Sequence, residues 1–159
     1  MPTGKRPGYI ERKVIAGALA GTLFFVAAAF LQQLPLSAPA DAWPAFLQRV
    51  ANALPVYMMY IMPVMLAYFV LASMISDSIA RFLARKQNGQ FEGIYALVFH
   101  LLFGMILLWL TVLAMLLFFV IDRILQKWRE RYTYKHALTS LLLPLTVWFA
   151  LMIIAFMKG

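Results

Sequence analysis

Two side chains, Asp77 and His100, stand where an ionisable group is expensive, one at the end of an apolar stretch and one inside another. An ionisable residue at membrane depth points by default to a proton, ion or ligand path, so this pair is the candidate polar functional site. Each also has an ordinary explanation. Asp77 precedes Arg81 by four residues, the spacing of an ion pair along a helix. A neutral His100 needs only a serine, a tyrosine or a backbone carbonyl on a neighbouring helix. Catalysis asks for more than these two groups. The sequence has no HExxH, no P-loop, no GxSxG and no paired carboxylates inside an apolar block, so an enzyme is not expected.

Met58, Met62 and Met65 recur at helical spacing on one face, and three thioethers suit a soft cation such as Cu(I). Methionine is also a flexible core filler, and ten are scattered through the chain. His100 and His136, the only histidines, are set apart by opposite portions of the longest apolar block, His136 lying beyond its end, and should not share a depth, which argues against a bis-histidine haem. With no cysteine, disulfides and thiolate sites are excluded. No metal and no cofactor is expected.

The elements that would carry these residues are apolar. Hydrophobic residues make up 64% of the chain and charged residues 13%, with a mean hydropathy of +0.83. A soluble domain runs at roughly 45 to 50% apolar and about 25% charged. Four blocks, 14–34, 53–76, 93–121 and 137–157, are each long enough to cross a bilayer. None alternates with the period of two that a membrane barrel requires. The expectation is an all-α integral membrane protein, one membrane domain over residues 1–159, formed by a bundle of four transmembrane helices with short interfacial amphipathic helices.

In the first block, Gly17 and Gly21 form a GxxxG pair, the pattern that lets a second helix approach closely where packing supplies much of the association energy. A basic start, an apolar stretch and Ala27 to Ala29 also outline a signal peptide. The apolar run of 14–34 exceeds the usual ~7 to 15 residues of a signal core, so an uncleaved helix is expected. Trp43, Phe46, Leu47, Val50 and Leu54 then recur at spacings of three and four. That stretch reads either as an interfacial helix started by Asp41 or as a lead-in to the second span. Pro63 inside the second block should kink it.

The block 93–121 would make a helix of about 43 Å at ~1.5 Å per residue, against a hydrocarbon core of ~30 Å. One long tilted helix with an end in the head groups is the expected solution; a hairpin is the alternative, with Gly104 the last glycine and no proline to mark a turn. After it, Arg123, Lys127, Arg129, Arg131 and Lys135 face only Asp122 and Glu130, and Ile124, Leu125, Trp128 and Tyr132 follow helical spacing. The segment is expected to lie on the membrane surface and to bind anionic lipid head groups. The net charge of +8 sits almost wholly between the blocks, and no nucleic-acid motif accompanies it.

Orientation depends on that long block. Four simple spans with a cytoplasmic N-terminus place eight basic residues inside (Lys5, Arg6, Arg12, Lys13, Arg81, Arg85, Lys86, Lys158) and six outside (Arg49 and the five after Ile121). A hairpin moves those five inside and Lys158 outside, giving twelve and two, which the positive-inside rule prefers. The expected topology is four spans in the cell membrane with both termini cytoplasmic. With no catalytic constellation, the expected function is helix packing with a protein partner or a second copy of the chain, as an accessory subunit, assembly factor, regulator or immunity-type protein. The alternative is a subunit of an oligomeric transporter or channel, a reading weakened by the lack of an acid inside any block.

Overall fold

The structure, a computed structural model, describes residues 8–33, 43–85, 91–107, 109–128 and 131–157. Every regular element among them is helical: α1 (Tyr9–Gln33), α2 (Trp43–Val56), α3 (Met62–Arg85), α4 (Glu92–Leu107), α5 (Trp109–Trp128) and α6 (Tyr134–Met157). Three helices are long and apolar enough to cross a membrane: α1, the continuous rod formed by α2 and α3, and α6. Asp41, the expected helix cap, lies outside the described residues.

The rod explains the amphipathic stretch. Phe46, Val50 and Leu54 are buried and Trp43 and Leu47 exposed, so α2 is a lead-in whose apolar face is spent on the core, and Phe46 meets Phe30 of α1 with ring centroids 5.9 Å apart. The disturbance expected at Pro63 appears one turn earlier, as a π-helical turn over Tyr57–Ile61. The proline ring cannot coexist with a normal turn at the carbonyl four residues before it, and widening the helix relieves that contact.

The long block does not form one tilted helix. It folds back as α4 and α5, which lie antiparallel and in contact. Gly104 makes the reversal possible: a Cβ there would sit 2.9 Å from the Val112 backbone Cα, so only a bare α-carbon permits the approach. The cost of ending a helix in an apolar setting is an unpaired carbonyl. Here the Thr111 hydroxyl donates to the Gly104 carbonyl, and the Tyr68 hydroxyl donates to that of Phe103 at 2.5 Å. The glycine and two hydroxyls thus do what a sequence reading assigns to a proline or a polar loop.

α1, α3, α4 and α5 pack neighbour to neighbour around a shared centre, with α1 opposite α4. Gly17 and Gly21 face α3. A Cβ at Gly17 would lie 2.5 Å from Leu66 Cδ1, and one at Gly21 would lie 3.5 Å from Met62 Cε. Met58, Met62 and Met65 are buried as core fillers beside Phe69 and α1. α6 packs on α1 and α2.

The hairpin also changes the ends. The starts of α1 and α6, the end of α3 and the end of α5 all meet, as Gly8 at φ +82° presses on the Tyr132 backbone and Tyr9 reaches Asp77. α6 then runs along α1, so the beginning of α1 and the end of α6 lie at opposite ends of the bundle. Two termini on one side is the expectation from four simple spans; here the block 93–121 contributes two helices and one extra reversal.

Candidate functional site

The meeting of helix ends encloses charge. Lys13 follows α1's first turn and is fully buried. Its ammonium has three protons and three acceptors: Ser73 Oγ at 2.6 Å, Asp77 Oδ2 at 2.7 Å and Asp122 Oδ2 at 2.8 Å. Burying an ammonium costs several kcal/mol unless each proton is matched, and here each is. Ser73 and Asp77 lie one turn apart on α3, while Asp122 comes from α5, so one lysine ties three helices.

The carboxylates have further partners. Arg12 Nε donates to Asp122 Oδ1 at 2.8 Å, the Tyr9 hydroxyl donates to Asp77 Oδ2 at 3.0 Å, and Arg123 Nη2 stands 3.6 Å from Asp77 Oδ1. Asp122 is 1% exposed and Asp77 8%. The Tyr9 ring lies beside three cations, with Lys13 Nζ, Arg12 Cζ and Arg81 Cζ between 5.4 and 5.7 Å from its centroid. The expected side-chain pair of Asp77 and Arg81 does not form. Arg81 Nε donates instead to the Asp77 backbone carbonyl at 3.1 Å, because the Asp77 carboxylate turns inward to Lys13.

His100 closes the network from α4. Its Nδ1–H donates to the Ala96 carbonyl at 2.6 Å, which leaves Nε2 to accept the Ser73 hydroxyl at 3.0 Å. The assignment follows from Lys13, whose donation to Ser73 frees the hydroxyl proton for the histidine. Phe118 and Phe119 flank the ring at 6.2 and 5.2 Å. Asp77 and His100, the two residues that stood out in the sequence, are therefore brought together, through Lys13 and Ser73 rather than in direct contact.

The network can hold charge and order protons. Ser73 and His100 have the spacing of a nucleophile and its base, but Ser73 is fully buried and its oxygen is taken by Lys13, so no substrate atom reaches it. No cluster of three or more His, Cys, Asp or Glu suited to a metal occurs among the described residues.

The basic residues after Ile121 divide. Helix continues past Ile121 as expected, but as α5 up to Trp128 with Asp122 and Leu125 buried in the bundle, so a single surface helix through His136 does not form. Arg123 is drawn to Asp77, to Gln126 Oε1 at 3.0 Å and over the Phe119 ring at 5.0 Å. Lys127, Arg131 and Lys135 are exposed, Lys135 on α6, and Arg129 lies outside the described residues.

Sequence reasoning missed Lys13, Arg12, Asp122, Tyr9 and Ser73. The available signal was the excess length of the block 93–121: once it turns back, Asp122 returns to the side of Lys13 and Asp77. Comparison with known proteins finds no family model, no curated protein and no solved structure that matches this chain.

Proposed function

We propose that the protein is a small integral membrane subunit that acts by packing α6 against a transmembrane helix of a protein partner. The carrying observation is a stripe on α6. Leu138, Leu142, Leu145, Phe149, Ile153 and Phe156 recur at spacings of four and three, and each is at least half exposed. That spacing is a helix-packing seam, and α6 rests on the bundle by its other side. The ion-paired centre supports the same reading, since a network with every ammonium proton matched holds α1, α3 and α5 rigid behind the presenting helix.

The proposed orientation places the basic end in the cytoplasm of the cell membrane. Arg12, Lys13, Arg81, Arg85, Arg123, Lys127, Arg131 and Lys135 belong to that end, while Arg49 is the described basic residue at the other. The end of α6 then lies outside. The test is affinity capture of the full chain from gently solubilised native membranes, beside a variant with alanine at Leu142, Leu145 and Phe149. A protein held by the first and lost by the second supports the seam; identical capture, or none, contradicts it.

A second reading, a subunit of an oligomeric transporter or channel, is favoured by one observation: acids absent from the interior of the apolar blocks are nonetheless buried in the bundle, beside a lysine and a histidine. Solute flux through vesicles reconstituted with the protein, lost in Lys13→Met, would favour it over the first reading. Vesicles that stay tight would remove it.

A further inference from the structure

α5 and α6 are consecutive, yet among the described residues both pack on α1 and not on each other, and this splaying leaves a groove beside α1. The groove encloses about 390 Å³ and is apolar throughout, walled by Leu23, Phe24 and Ala27 of α1 and by Leu113, Leu116 and Val120 of α5. It is open along one side, and Leu23, Leu113 and Val120 are about half exposed within it.

The α5 wall continues as one helical face toward the basic end. Val120, Ile124 and Lys127 follow Leu116 at spacings of four, four and three; Ile124 is 42% exposed, Lys127 is exposed, and neighbouring Trp128 is 81% exposed. Lys127 makes no ion pair among the described residues, unlike Arg123 one turn before it. From Leu113 to Lys127 the helix rises about 21 Å, close to the depth of one leaflet with its head groups, roughly half of ~40 to 45 Å. An exposed tryptophan beside a lysine is the pattern of the membrane interface.

We infer that this face is a binding site for an anionic phospholipid, with one acyl chain lying in the groove between α1 and α5 and the phosphate held at Lys127. The occupant follows from continuity: the apolar trough and the apolar face beyond it together span one leaflet and end at a cation that has no ion pair among the described residues. A partner helix would need no cation there, and a soluble anion would need no trough. The site is separate from the α6 seam and stands or falls independently of it.

The experiment titrates purified full-length protein in detergent with phosphatidylglycerol, phosphatidylcholine or inorganic phosphate, reading bound lipid by mass spectrometry and the shift in thermal unfolding. Phosphatidylglycerol should bind and stabilise at least fivefold more tightly than phosphatidylcholine, and inorganic phosphate should do neither. Lys127→Gln should weaken phosphatidylglycerol about fivefold, the share of one lysine at a charged surface, and leave phosphatidylcholine unchanged. Val120→Trp, at an exposed position that tolerates bulk, should fill the trough and remove both lipids, and Leu116→Gln should weaken both without adding bulk. Equal affinity for the two lipids, full binding by Lys127→Gln, stabilisation by phosphate alone, or a dimer that Val120→Trp dissociates while lipid stays bound would each overturn the inference.

Discussion

α1 and α6 are almost equally apolar, yet 56% of the apolar stretch of α1 is buried and 11% of that of α6. Hydropathy therefore does not decide which helix takes the centre. α1 carries Gly17, Gly21 and a run of small residues, Ala16, Ala18 and Ala20, which admit α3 and α5 closely, and it carries Lys13, which α3 and α5 must both reach. α6 has neither device. It sets Val147, Trp148, Leu151 and Ala137 against the core and turns most of its large side chains outward, so it adds more surface than core. The difference between the helices is one of side-chain size and charge pairing at equal apolarity.

That contrast can be broken at the charge first. Lys13→Met leaves Asp77 and Asp122 buried without their shared cation and should cost about 3 to 5 kcal/mol of stability. Thermal unfolding in detergent measures it, and adding Asp77→Asn should return part of the loss, because without Lys13 the Asp77 carboxylate keeps only Arg123, 3.6 Å away, as a cation. Lys135→Gln, an exposed lysine of α6, should change stability by no more than about 0.5 kcal/mol.

The glycines come next. Gly104→Val forces a side chain into the Val112 backbone, which cannot rotate away, and should cost about 3 kcal/mol. Gly17→Ile meets the Leu66 side chain, which can turn aside, so about 1 to 2 kcal/mol is expected. A Gly17→Ile protein as stable as the wild type would mean that α1 does not owe its place to close approach. The smallest effect belongs to α6: Leu142→Ala should leave the stability of the isolated protein within about 0.5 kcal/mol while weakening any complex built on the seam. A large loss of stability in the isolated protein would show that α6 belongs to the core.

The helices themselves were legible. Apolar blocks and the absence of period-two alternation indicate helical structure, and the described residues of three blocks lie in helices long enough to span. The helix boundaries were less so. α1 begins at Tyr9 rather than Val14 because Arg12 and Lys13 are neutralised inside the bundle and need not stop the helix. The reversal between α4 and α5 hides because its signal is a single glycine whose need is set by Val112, on the facing helix, and the freed carbonyls of α4 are served by Thr111 and by Tyr68 from α3. The site was half legible for the same reason. Asp77 and His100 stand out alone, but Lys13 and Asp122 look like ordinary flanking charges until the hairpin brings them together.

The reversal within 93–121 is thus the claim on which the shared end, the ion network and the orientation all rest. Because the chain has no native cysteine, single cysteines at Thr3, Thr133 and Gly159 can each be labelled from one face of sealed membrane vesicles. Thr3 and Thr133 should react from the same face and Gly159 from the opposite one. Labelling of Thr133 from the face opposite to Thr3 would mean that 93–121 crosses once, and would contradict the hairpin and the network it assembles.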